Sequence, residues 1–173
     1  AKAFEALPLV VEQYPQNRWL FVTLTLKNCQ LTDLKTTLDW VNYAFKKMTK
    51  RKAFPGVGWI KSVEVTRGRD GKTAHPHLHI LMMVKPSYFT HGYLSQKKWC
   101  QMWQDCLKVD YQPVMDVQAV KPNQSPTALL TEVIKYQTKE SDLICDPIWF
   151  AEYVNQMHGS RAIAVGGVLR DYF

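Results

Sequence analysis

Apolar residues recur along this chain with two different periods, and the changes of period mark out its elements. Arg18–Leu26 (RWLFVTLTL) is rich in β-branched and aromatic residues and alternates in its second half, which predicts a strand with buried positions. Asn28-Cys29-Gln30 reads as a turn. From about Thr32 to Lys50, Leu34, Leu38, Val41, Phe45 and Met48 recur at three- and four-residue steps, the stripe of an amphipathic helix. Pro55-Gly56 breaks the chain before a second strand, Val57–Arg67. Gly68–Lys72 carries an Asp-Gly step suited to a hairpin turn, and Ala74–Val84 returns as the paired strand. Ser95 caps a helix to about Lys108, and Val114–Val120 is a fourth strand. Ser125-Pro126 and Asp146-Pro147 each combine an N-cap with a proline at the first helical position. They start helices to about Glu140 and to near Gly159, and Arg161–Arg170 reads as a last strand. The order β-α-β-β-α-β-α-α-β predicts an α+β fold, an antiparallel sheet with helices on one face. Residues 1–17, with Pro8 and Pro15, read as an irregular lead-in.

A length of 173 residues suits one domain, 1–173, with its own core. No apolar run approaches the roughly 18 residues that cross a bilayer, so no membrane partner is expected. The chain starts at Ala1 without an initiator Met or a signal-peptide pattern, which points to processing or excision from a longer protein. Cys29, Cys100, Cys106 and Cys145 form no CxxC pair, so a zinc finger fits poorly and reduced thiols are expected. A formal charge of +7 changes the picture more. It favours a polyanionic partner, and no basic amphipathic helix directs that preference to a membrane.

The strand after the hairpin contains His75-Pro76-His77-Leu78-His79. Strand residues two apart share a face, so His77 and His79 project together and suit one divalent cation. Glu64, on the strand paired across the short hairpin, is the candidate third ligand. His75 is in phase but follows a different local course at Pro76, and its place as ligand, supporting group or substrate contact stays open. The same histidines also suit a polar strand face with no metal. In the Pro126 helix, Glu132, Tyr136 and Lys139 fall within about 60° of one another, opposite Leu130, Val133, Ile134 and Gln137. That spacing also fits an ordinary surface Glu–Lys helix. Taken together, the two pieces fit phosphoryl transfer. Lys139, Lys135 and a nearby cation favour the phenolate of Tyr136, and the cation offsets charge on the phosphate.

At these residues the chain resembles the rolling-circle replication initiators (Rep proteins) of the HUH endonuclease superfamily, in a family with a single tyrosine. Phe21–Leu26 resembles the first Rep motif, His75–Leu81 the metal motif, and Glu132–Lys139 the catalytic ExxxYxxK motif. Ser62–Thr66 and Gly159–Gly167 are similar as well. The resemblance implies a five-stranded antiparallel sheet related to the RNA-recognition-motif architecture. It implies that Tyr136 nicks plasmid origin DNA, single-stranded or extruded as a hairpin, and stays attached to its 5′ end while the 3′-OH primes synthesis. It implies Mn²⁺ or Mg²⁺ as cofactor, a host helicase as a further partner and the bacterial cytoplasm as location. Glu132 stands where relatives carry a second tyrosine, and a carboxylate one turn before Tyr136 suits a general base for water, which makes termination hydrolytic.

The candidate DNA-binding residues are Arg67, Arg69 and Lys72 in the hairpin, Lys135, and Lys50 and Arg51 at the end of the first long helix. Tyr88, Phe89 and Tyr93 are candidates for stacking on bases, whereas Trp19 and Trp59, in strands, suit the core better. Two other readings remain open: a relaxase or transposase with the same chemistry, and a non-catalytic nucleic-acid-binding domain.

Overall fold

The run Ile80-Leu81-Met82-Met83-Val84 has no polar position, so a strand built from it must be covered on both faces. The computed structural model, which describes residues 2–134 and 146–173, shows that cover. Its strands are β1 (Arg18–Thr25), β2 (Cys29–Gln30), β3 (Gly56–Arg67), β4 (Thr73–Val84), β5 (Met115–Ala119) and β6 (Ile163–Gly167). Its helices are α1 (Lys2–Gln13), α2 (Leu34–Thr49), α3 (Gln96–Leu107), α4 (Pro126–Ile134) and α5 (Pro147–Met157). The strands form one six-stranded antiparallel sheet in the order β5-β1-β4-β3-β6, with β2 beside the start of β4. This is an α+β fold of the HUH-endonuclease kind.

On one face, Leu78, Ile80, Met82 and Val84 of β4 meet Leu34, Leu38, Val41, Phe45 and Met48 of α2 and Trp99, Trp103 and Leu107 of α3. On the other, Leu81 and Met83 meet Leu7 and Val10 of α1 and Leu129, Leu130 and Val133 of α4. The expectation of helices on one face is therefore corrected: they lie on both, because β4 is apolar in both phases over its second half.

The lead-in is corrected too. Residues Lys2–Gln13 form α1 with Pro8 inside it. A mid-helix proline costs about 3 kcal/mol. Ala6, Leu7 and Val10 are buried at 5, 0 and 0 % exposure, and full burial of one such aliphatic side chain returns about 1.5–3 kcal/mol. The stretch Asn28-Cys29-Gln30, expected as a turn, contributes β2, which pairs Cys29 with Ala74 and Gln30 with Thr73.

The turn and cap chemistry follows the sequence. Asp70 Oδ1 accepts from the backbone N–H groups of Lys72 and Thr73, each at 2.9 Å, and Gly71 takes φ +74°. Ser95 accepts from Lys98 N, Ser125 from Ala128 N, and Asp146 from Ile148 N and Trp149 N. At the end of β6, a Cβ on Gly166 would stand 2.2 Å from the Trp59 ring, so glycine is what lets this edge strand close on β3. Trp19 is buried, and Trp59 stacks edge-on against Phe45 and Phe54. Cys100 and Cys106 are buried free thiols, and Cys29 is a partly buried one whose thiol burial pushes up.

Candidate active site

The strand register gathers polar residues from four strands onto one end of one sheet face. On β4 the odd positions His75, His77 and His79 share this face with Leu81 and Met83. On β1, Thr23 lies opposite His79 and Thr25 opposite His77. On β3, Ser62 lies opposite His79, Glu64 opposite His77 and Thr66 opposite His75. On β5, Asp116 lies opposite Thr23 and Gln118 opposite Phe21. The face thus has an apolar half under α1 and α4 and a polar half centred on the histidines.

Within the polar half the histidines are held from several sides. The His77 and His79 rings are nearly parallel, at 9°, with centroids 6.0 Å apart. His79 Nε2 is 2.9 Å from Glu64 Oε1, and its Nδ1 is 3.4 Å from Thr23 Oγ1. His77 Nε2 is 3.2 Å from Thr66 Oγ1. His75 Nε2 is 2.8 Å from the Leu26 carbonyl, which only accepts, so this nitrogen carries the proton. Glu64 is buried at 4 % exposure. The expected proximity of Glu64 to the histidines is what the register produces: it faces His77 across the ladder and reaches diagonally to His79.

Helix α4 completes the arrangement. Glu132 and Val133 line a cavity of about 100 Å³ together with Thr23, His79, Asp116 and Gln118. On the other side of the histidine row a larger hollow of about 540 Å³ runs past His75, His77, Thr25, Lys27, Tyr111 and Val114. The two hollows have Thr23 in common, so the polar half is flanked by one on the Glu132 side and one on the Tyr111 side.

Three of the sequence-predicted residues, Lys135, Tyr136 and Lys139, lie outside the described residues, as does Cys145. Arg69 and Lys72 are exposed on the hairpin that leads into the histidines. Arg67, beside them, is engaged within the protein: its Nη2 is 2.6 Å from Asp146 Oδ2 and its Nε donates to Gly71 O. Lys50 and Arg51 are exposed at the far end of α2, close to where Gly56 begins β3. Glu64 is eight residues along that strand from Gly56, roughly 26 Å at about 3.3 Å per residue, so these two cations are not gathered at the histidine end. Tyr88 is buried and accepts from Trp99 Nε1, Phe89 lies under Arg18, and Tyr93 is 63 % exposed. Residues that pattern reading missed are Thr23, Thr66, Asp116 and Gln118. Thr23 and Thr25 do alternate with Leu24 in the sequence, but only the β1–β4 register reveals that their phase is the histidine phase.

Against known proteins, a profile of the replication-protein family matches residues 1–173. The chain belongs to the Rep family of replication proteins. It is 33 % identical over 168 residues to a Protein rep of Streptococcus pneumoniae serotype 2, covering 93 % of this chain and 52 % of that one. It is 37 % identical over 177 residues to a Protein rep of Lactiplantibacillus plantarum, covering 92 % and 55 %. It is 31 % identical over 176 residues to a Replication protein of Staphylococcus aureus, covering 94 % and 75 %. This Rep chain therefore spans about half the length of the first two relatives. No solved structure gives a significant match.

Proposed function

We propose that this Rep chain is the nicking unit of a plasmid rolling-circle replication initiator, a metal-dependent DNA endonuclease and strand transferase. The observation that carries the reading is the cavity shared by His79 and Glu132. The histidine strand and Glu132, the first residue of the Glu132–Lys139 motif, are distant in the chain and meet there through the packing of α4 on the sheet.

The donor set fits a divalent cation. Two imidazoles and a carboxylate suit Mn²⁺ and, less closely, Mg²⁺. The Ser62 hydroxyl, opposite His79 and fully buried, has no hydrogen-bond partner among the described residues, which suits a site that takes a further group. The 2.9 Å between His79 Nε2 and Glu64 Oε1 matches two adjacent ligands of one ion with bonds of about 2.1 Å. Among the described residues no three His, Cys, Asp or Glu side chains are already gathered as a metal-holding group, and His77 Nε2 lies 3.2 Å from Thr66 Oγ1. His77, His79 and Glu64 would hold the cation, with His75 as a positioning residue through Leu26. Bound there, a divalent cation would supply positive charge to a phosphate oxygen.

In this mechanism the Tyr136 phenolate attacks phosphorus of the origin strand. An O–P bond to the tyrosine forms and the P–O3′ bond breaks, so the phosphate stays on the 5′ end and the 3′ oxygen takes up a proton. Lys135 and Lys139 favour the phenolate by their charge. Reversal by a 3′-OH rejoins the strand without outside energy. At termination Glu132, whose carboxylate stands beside His79, takes a proton from water; the water oxygen attacks phosphorus of the regenerated nick site, the P–O3′ bond there breaks, and the freed 3′-OH attacks the phosphotyrosine, closing the circle and releasing the Tyr136 oxygen. Arg69 and Lys72 hold the strand's backbone as it enters from the hairpin side. The partners are plasmid origin DNA and a host helicase, and the location is the bacterial cytoplasm; among the described residues no helix is long and apolar enough to cross a membrane.

Incubation with single-stranded origin DNA and Mn²⁺, followed by denaturing electrophoresis, tests the reading. A covalent adduct is expected with the parent chain and none with Tyr136→Phe. Absence of any adduct across a broad panel of DNA hairpins and divalent metals overturns it.

A further inference from the structure

The segment His158-Gly159-Ser160-Arg161 leads into the tail, Gly159–Gly167, that resembles the replication initiators, yet it stands on the other side of the sheet from the histidines. It closes a cavity of about 370 Å³ whose other walls are β3 and the first turns of α2. Lys61 enters this cavity from β3; it lies between Ile60 and Ser62 in the chain and therefore points away from the face that carries Ser62 and Glu64. The charged and titratable groups that line it are Lys35 and Asp39 from α2, Lys61 from β3, and His158 and Arg161 from the tail segment. Two lysines and an arginine thus face one carboxylate.

Lys61 is the unusual member. Its Nζ is 2.5 Å from Asn42 Oδ1 and 5.4 Å from the centroid of the Phe45 ring, partners that carry no full negative charge. Among the described residues it makes no ion pair. Burial pulls its pKa down to about 8. A partly desolvated ammonium group that makes no ion pair is stabilised when an anion arrives. The volume falls at the lower end of the about 300–1,000 Å³ typical of small-ligand sites, and Ser160 and Asn42 add hydrogen-bonding groups beside the cations.

We propose that this cavity is a phosphate-binding site, distinct from the nicking centre, in which Lys61, Lys35 and Arg161 hold a phosphate of duplex DNA or of a free nucleotide. The proposal goes beyond the nicking reading and stands without it, since it concerns the opposite face of the sheet.

The test uses the full chain with its lysines methylated with ¹³C, the Lys61 signal being assigned through Lys61→Gln. Its titration midpoint is followed with a duplex oligonucleotide and, separately, with ATP. A midpoint raised from about 8 by the duplex assigns the site to DNA phosphate. A midpoint raised by ATP alone assigns it to a free nucleotide. A midpoint moved by neither overturns the proposal. For duplex binding, Lys61→Gln and Arg161→Gln should each make the slope of log affinity against log salt shallower by about 0.9, while Lys61→Arg keeps it. Adduct formation on a short single-stranded oligonucleotide should be unchanged in Lys61→Gln, and loss of that activity together with duplex affinity would show that the two sites are not separate. Circular dichroism of each variant confirms the fold.

Discussion

Arg67 separates a strut from a DNA contact, and its environment says which it is. Its guanidinium bonds Asp146 at 2.6 Å and the Gly71 carbonyl at 2.8 Å, tying the base of the hairpin to the start of α5. Asp146 also caps α5 by accepting from Ile148 N and Trp149 N at 3.1 and 3.2 Å. The two side chains are 23 and 34 % exposed, so solvent screens the pair and its own worth is about 0.5–1 kcal/mol. Loss of the cap costs about 1 kcal/mol. Asp146→Ala should therefore destabilise by about 2 kcal/mol, and Asp146→Asn, which keeps a capping oxygen, by about 0.5. Arg67→Ala loses the pair and one hydrogen bond, about 1–2 kcal/mol. Urea denaturation of the two single variants and the double variant gives the coupling, expected at about 0.5–1 kcal/mol. In heat, Asp146→Ala should lower Tm by about 4–8 °C in a chain of this size. Anisotropy with labelled DNA should leave the salt slope unchanged for Arg67→Ala and make it shallower for Arg69→Ala and Lys72→Ala, whose side chains are exposed. Unchanged stability in Arg67→Ala, with a salt slope as shallow as that of Arg69→Ala, would refute the strut.

Three further outcomes are expected. Glu132→Ala should still form the covalent adduct but lose the terminating cleavage, read as adduct that persists without released closed circles on denaturing gels; loss of the first nicking step instead points to a ligand or packing role. Leu130→Ala should cost about 2–5 kcal/mol in urea denaturation, because Leu130 is fully buried between α4 and the apolar half of the sheet. Lys61 has a folded pKa of about 8 against an ordinary value of 10.5, so the unfolded chain binds more protons between those values and this residue makes stability rise with pH across that window. The difference in stability between the parent and Lys61→Met should shrink as pH rises from 8 to 10.5, and a difference that stays flat removes the burial argument.

Most elements were legible because each carried a local signature. The Ser95, Ser125 and Asp146 caps start helices where their side chains accept backbone N–H groups. The Asp70-Gly71 turn sets the β3–β4 pairing that brings Glu64 opposite His77. What stayed hidden depends on tertiary packing. Pro8 and Pro15 masked α1, although Ala3, Leu7, Val10, Val11 and Tyr14 keep helical spacing and turn to one core. The second helical layer was implied by Ile80–Val84, whose unbroken apolar run demands two covered faces, but the run alone does not say which helices cover which face. The roles of Thr23, Asp116 and Gln118 required the β1–β4 and β1–β5 registers, which no short stretch of sequence encodes. The single charge of Arg67 gave no sign that Asp146 would take it.

The candidate site is placed by a change of character within one strand. Along the odd positions of β4, His75, His77 and His79 give way to Leu81 and Met83, and on β1 Thr25 and Thr23 give way in step to Phe21 and Trp19. One face of the sheet is therefore apolar at one end and polar at the other, with the boundary near the Thr23–His79 pair. Helix α4 is drawn to the apolar end because Leu129, Leu130 and Val133 are buried there with Leu81 and Met83. That packing leaves Glu132, the neighbour of Val133, at the boundary, where both line the cavity of His79 and Asp116. The carboxylate is thus positioned by three aliphatic anchors on a regular element, and the anchors belong to the same core that rigidifies the histidine strand. A site assembled in this way needs no loop to bring its two halves together, and the stability of the apolar half and the geometry of the polar half are one property of β4.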